Sequence, residues 1–165
     1  MSIGETITAL ALFAVSAVVT PAPTAPAARA EWAWPLDPRP PVVRAFDPPD
    51  QPWLAGHRGV DLATRVDATV HTPTGGRISF TGTIAGRGVV VVAHANGLRS
   101  TFEPVRDAPP LGTAVSRSEP IGTVGAAAGH CAPATCLHWG VIRGRTYLDP
   151  LGLLGRAPII LLPLS

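Results

Sequence analysis

Gly88-Val89-Val90-Val91-Val92-Ala93-His94-Ala95-Asn96-Gly97-Leu98 is the stretch that decides the fold. The continuous apolar run from Val89 to Ala93 reads as a central strand buried on both faces. Asn96-Gly97 is a strong short hairpin signal. Leu98 to Val105 then reads as the return strand, stopped near Pro104. Upstream, Gly86-Arg87-Gly88 reads as a turn. Before it, Arg77-Ile78-Ser79-Phe80-Thr81 alternates polar and apolar residues, the mark of a half-buried strand.

Working outward, the same alternation of strand and turn continues. Val66 to His71 leads to a turn at Pro73-Thr74-Gly75-Gly76. On the other side, 107–110 reads as loop. Leu111–Val115 and Pro120–Val124 flank a polar turn at Ser116–Glu119. The stretch 125–135 is small and flexible, Leu137–Ile142 is a last strand, and Asp149-Pro150 begins a short helical turn through Leu151, Leu153 and Leu154. The 19 prolines and 17 glycines of the 165 residues argue against a helical bundle. The predicted fold class is all-β, a compact antiparallel β-sheet domain with an extended Pro-rich N-terminal arm.

Charge excludes one class of partner. Formal net charge is +2, from 13 basic and 11 acidic residues with no block of like sign. Nothing in it points to nucleic acid or an anionic surface. Every basic residue is arginine, which in an Ala-, Gly- and Pro-rich chain reflects a GC-rich genome.

Four segments follow from composition. Residues 1–30 read as a signal peptide. Ile7–Val19 is an apolar run too short to span a bilayer comfortably, and Ala28-Arg29-Ala30 offers a cleavage site. Uncleaved, it tethers the protein to a membrane, the only membrane contact expected. Residues 31–53 form a Pro/Trp-rich arm that cannot be helix. Val42, Val43 and Phe46 are its expected anchors, and Trp32, Trp34 and Trp53 pack there or line a groove. Residues 54–155 form the main domain. Residues 156–165 are an apolar tail that packs on the domain or docks elsewhere. The expected location is exported: extracellular, in the cell wall, or tethered at the outer face of the membrane.

His57-Arg58-Gly59-Val60-Asp61 and Leu137-His138-Trp139-Gly140 carry the candidate chemistry. Zinc takes imidazole and carboxylate ligands, and a hydrolytic site keeps one position open. His57, Asp61 and His138 meet that count. His57 and Asp61 are two strand periods apart, so both can face one side, and Gly59 lets backbone lie close.

The only cysteines, Cys131 and Cys136, suggest a disulfide in an exported chain, stapling the loop before His138. Alternatively Cys136, two residues from His138 on one strand face, is a fourth ligand that closes the site.

His57-Arg-Gly-Val-Asp61-Leu resembles the H-x-G-x-D signature of the lysostaphin-type (LytM-like) zinc endopeptidases of peptidoglycan. Val70 and Thr74–Ile78 resemble that family's V-x-A-x-x-D-G-x-V hairpin. Gly88–Leu98 resembles its G-x-x-V-x-I-x-H-x-N-G-L strand pair, and Val115–Gly125 its V-x-x-G-x-x-I-G-x-x-G, with Ser118 at a usual glycine. Leu137–Gly140 resembles the end of H-L-H-F and Asp149-Pro150 the closing D-P. The resemblance covers about His57 to Pro150 in order.

It implies a single Zn(2+) held by His57, Asp61 and His138, a water activated by that metal as nucleophile, and peptidoglycan peptides as substrate. It also implies two further histidines as base and transition-state stabiliser, where this chain has Cys136 and Pro104. Two substitutes remain. Glu103 is adjacent to Pro104, but strand alternation aims it away from the face that residue 104 occupies. His130 lies in a loop about three residues longer than in the family. His94 matches a strand histidine that the family does not use as a ligand, and His71 reads as surface or packing. Two readings follow: a working metalloendopeptidase, or a non-catalytic wall-binding or regulatory module that keeps the fold, with or without the metal.

Overall fold

The structure is a computed structural model that describes residues 32–127, 129 and 131–155. The expected signal segment, the apolar tail and His130 lie outside the described residues. Strand follows strand in the order β1 (Val42–Arg44), β2 (Val60–Ala63), β3 (Thr69–His71), β4 (Gly76–Ile84), β5 (Arg87–Ala93) and β6 (Leu98–Glu103). Then come β7 (Val105–Arg106), β8 (Ala114–Val115), β9 (Pro120–Val124), β10 (Cys136–Arg143) and β11 (Thr146–Leu148). A 3-10 turn at Pro150–Leu153 closes the series, capped by the Asp149 carboxylate, which accepts the Leu151 N–H at 2.9 Å.

The larger sheet has the order β1-β2-β10-β6-β5-β4-β8, with β11 on the other part of β10; the smaller has the order β3-β9-β7. Neighbouring strands in both are antiparallel. The fold is therefore all-β and antiparallel, as the short strands and frequent turn residues require.

Hydrophobic alternation sorts the larger sheet into two faces. On β10, Leu137, Trp139 and Val141 are fully buried. Their cross-strand partners Leu62 and Val60 on β2 and Phe102 on β6 are buried equally. Each aliphatic or Phe side chain so buried contributes about 1.5–3 kcal/mol. Cys136, His138 and Gly140 alternate to the opposite face. On β5, Val90 and Val92 are fully buried and Val91 only partly, so the strand is less two-sided than its apolar run predicts. A bulge between Ile78 and Phe80 on β4 turns Phe80 outward.

Several boundaries differ from the sequence expectation, each for a local reason. The turn before β5 is Ala85-Gly86, both at positive φ (49° and 77°), which places Arg87 and Gly88 in the strand. The expected return strand Leu98–Val105 is two strands: the chain leaves the larger sheet at Pro104 and enters the smaller one as β7. Proline has no N–H to continue the ladder. Leu111–Val115 and Pro120–Val124 do not pair with each other, because β8 joins β4 while β9 joins β3 and β7. Between them Ser118 sits at φ 62°.

The arm is pinned by other residues than expected. Val42 and Val43 are exposed on the edge strand β1. Trp32 and Leu36 are buried instead, with Trp32 stacked on Trp139 at a centroid distance of 6.3 Å. Phe46 does pack against the core and Trp34 partly so, whereas Trp53 is 79% exposed.

His94 is buried beneath Trp32. Its Nδ1–H donates to the Gly75 carbonyl at 2.9 Å, and its Nε2 accepts from the Ser100 hydroxyl at 2.8 Å. Burial pushes its pKa below the ordinary value, opposed by the bond to Gly75. The unfolded chain therefore binds this proton more readily than the folded one. The stability it confers is complete above about pH 6.5 and is lost as pH falls below it. His94→Asn is expected to lower stability at neutral pH yet flatten its decline below about pH 6.5, as read from urea unfolding over a pH series. Ser118→Gly, which removes a left-handed side chain, is expected to raise stability by about 0.5–1 kcal/mol in the same assay.

Candidate metal centre

Strand register builds most of this site. Asp61 on β2 lies directly opposite His138 on β10. The residues on either side of each point into the core, so both side chains emerge on the outer face of the larger sheet. His57 precedes β2 and is held differently. Its backbone exchanges hydrogen bonds with Asp47 (2.6 and 3.0 Å), and its ring Nδ1–H donates to the Ala45 carbonyl at 2.6 Å. The bend at Arg58-Gly59 brings the ring over Asp61. A side chain at residue 59 has no room: a Cβ there lies 2.7 Å from His138 Nε2 and closer still to the Trp139 carbonyl oxygen.

Three donor atoms converge. His57 Nε2 lies 3.1 Å from His138 Nδ1 and 3.0 Å from Asp61 Oδ1, and His138 Nδ1 lies 2.8 Å from the same oxygen. Ligand bonds of about 2.0–2.1 Å in tetrahedral geometry put ligand atoms roughly 3.3 Å apart. The donor set therefore fits a zinc-sized ion with a small outward adjustment. The Ala45 bond fixes the tautomer of His57 and leaves Nε2 as the lone-pair donor. Asp61 is fully buried and His57 nearly so, while His138 is 13% exposed, so the site opens on the His138 side. Burying a carboxylate costs several kcal/mol unless it is well partnered, and two imidazoles with a bound cation would supply that.

The remaining sequence candidates divide. Cys131 and Cys136 are joined in a disulfide, with S–S 2.09 Å. Their sulfurs lie close to Asp61, within 4.8 Å, but no thiol is present to serve as a ligand. Glu103 corrects the expectation that it points away. It lies opposite His138 across β10 and β6 and so shares the outer face with it. Counting alternation from Pro104 misleads, because Pro104 has left the sheet; counting from Phe102, buried in the core, gives the right face. Its carboxylate meets Arg87 Nε at 3.3 Å. Arg87, expected in a turn, stands in β5 beside it because the turn is made at Ala85-Gly86. Glu103, Arg87, Pro104, Gly129, Cys136 and His138 line one narrow cleft. A wider groove begins at Pro104 and runs past Gly88, Val105 and Gly125 towards Thr83. Another opens on the far side of Asp61 beside Arg44 and Cys131. His71 is half-buried on β3, away from this face.

An antiparallel sheet carrying two imidazoles and a buried carboxylate, with grooves on both sides, defines a peptidase-like β-domain. The chain belongs to Peptidase family M23, whose model matches residues 55–150. An uncharacterized protein of Mycobacterium tuberculosis, Rv2891, is 48% identical over 138 residues, 80% of this chain. The chain spans only 55% of that relative's length. Among solved structures, Helicobacter pylori Csd3 is 26% identical with a TM-score of 0.62, over 78% of this chain and 36% of that one. A putative peptidase M23 from Pseudomonas aeruginosa is 26% identical with a TM-score of 0.57, over 81% and 53%. A zinc-containing peptidase from Vibrio cholerae, 22% identical over 79% of this chain and 41% of that one, shares the fold with a TM-score of 0.64.

Gly59→Ala tests the close packing of the centre. The added methyl meets backbone as well as the His138 ring, so it cannot be absorbed by a rotamer change. A loss of about 1–3 kcal/mol in stability is expected, together with weaker zinc binding in a competition titration against a chromogenic chelator.

Proposed function

We propose that this chain is an exported zinc metallopeptidase acting on the peptides of bacterial cell-wall peptidoglycan. The observation that carries this reading is the convergence of His57 Nε2, His138 Nδ1 and Asp61 Oδ1 to within 3.1 Å of one another on the floor of a grooved sheet face. Membership of Peptidase family M23 supports the reaction class.

His57, Asp61 and His138 would hold a zinc ion, which would supply Lewis acidity for a peptide carbonyl and for water. The chain's own residues do the rest. The Ala45 carbonyl orients the His57 ring. The grooves beyond Pro104 and beside Arg44 offer room for an extended peptide on either side of the scissile bond. The Cys131–Cys136 disulfide fixes the loop that walls the centre and suits an oxidising, extracytoplasmic compartment.

A second reading is favoured by one specific feature. Pro104 and the bonded Cys136 stand at the two positions where the resemblance implies catalytic histidines, which suits a wall-binding or regulatory module that keeps the metal centre. Purified peptidoglycan incubated with the zinc-loaded full chain separates the two. The peptidase releases new amino termini, the release stops with a chelator and returns with zinc, and His138→Ala abolishes it. A folded, zinc-loaded protein that binds peptidoglycan but releases no amino termini is the binding module instead.

A further inference from the structure

We infer that Glu103 and Arg87 form the acid–base and oxyanion-facing pair of this centre, an inference that rests on the peptidase reading above. Three observations carry it. Asp61, His138 and Glu103 form one cross-strand row over β2, β10 and β6. Directly opposed side chains in such a row are about 4.5–5.5 Å apart at Cβ, so Glu103 is the next group along from a candidate metal ligand. Glu103 and Arg87 also line the same narrow cleft as His138. Apart from His138, they are the titratable side chains among the described residues that line it. Finally, both are partly shielded, at 19% and 28% exposure, so the pair is neither solvated at the surface nor sealed in the core.

A surface ion pair is the plain alternative, and such pairs are common and nearly neutral in energy. Position argues against it here. The chain leaves the larger sheet at Pro104, immediately after Glu103, and both residues line the cleft that His138 lines. Arg87 comes from the next strand, β5, and bonds Glu103 through Nε. Its planar fork has donors enough for the carboxylate and a ligand oxygen at once.

The chemistry closes without any further reagent. Glu103 takes a proton from water as the water oxygen bonds to the peptide carbonyl carbon. The carbonyl π pair moves onto its oxygen, whose charge faces Arg87. As the C–N bond breaks, the proton on Glu103 passes to the leaving nitrogen and the carboxylate is restored. One water and one peptide bond yield one carboxyl group and one amine.

The test uses the zinc-loaded full chain, Glu103→Gln and Arg87→Gln, with soluble peptides released from purified peptidoglycan as substrate. Zinc content and thermal melting are measured first, and Glu103→Asp replaces Glu103→Gln should the latter not fold. At unchanged zinc content, kcat is expected to fall about 10²–10⁴-fold in the Glu103 variant and about 10²–10³-fold in Arg87→Gln, with KM little changed. A parallel calorimetric titration with acetohydroxamate reads the pair without turnover, and affinity is expected to fall about tenfold in the Glu103 variant. A Glu103 variant with wild-type kcat overturns the inference. Should the wild type itself prove inactive, the peptidase reading fails and the hydroxamate titration decides the pair. Unchanged affinity in both variants overturns it, while a tenfold loss upholds the pair as facing the centre.

Discussion

The antiparallel register of β10 between β2 and β6 is the constraint on which the rest of this structure depends. Leu137 opposes Leu62, and Trp139 opposes Val60 on one side and Phe102 on the other, all fully buried. A slip of one residue exposes that entire set and buries the polar one. Hydrophobic packing thus holds the register, and the register aligns Asp61, His138 and Glu103 on the opposite face. The site has no separate scaffold. It is the outward half of the alternation whose inward half is the core.

Two departures from regular strand complete what the register begins. Gly59 permits the bend that brings His57 over Asp61, at a point where any side chain strikes the His138 ring and the Trp139 backbone. Pro104 follows β6 and sends the chain to the smaller sheet, and the wider groove starts there. The arm contributes from a distance. Its Ala45 carbonyl orients His57, and Trp32 caps the core against Trp139. Loop, arm and sheet therefore converge on a centre whose two imidazoles come from distant parts of the chain.

Much of this was legible in the order of residues. Val89–Ala93 followed by Asn96-Gly97 can hardly be anything but strand and hairpin, and the frequent Gly and Pro deny helices the length they need. His57, Asp61 and His138 were legible as a candidate ligand set because zinc takes imidazole and carboxylate ligands. Their agreement with a family pattern from His57 to Pro150 matches the family span of residues 55–150. Ser118 was visible as an oddity, standing where a glycine is usual, and its φ of 62° gives the reason a glycine is usual there.

What sequence alone determined, then, is the class of fold, the family and the candidate donor set, because these follow from local periodicity, turn chemistry and the identity of donor atoms. Only the tertiary structure decided which side Glu103 faces, that Arg87 stands in a strand beside it, that Trp32 and Leu36 anchor the arm in place of Val42 and Val43, and that Cys136 is bonded to Cys131. Each of these depends on pairing between distant segments. A side chain's face is set by its cross-strand partner, and a count along the chain loses that information wherever a proline or a bulge interrupts the strand.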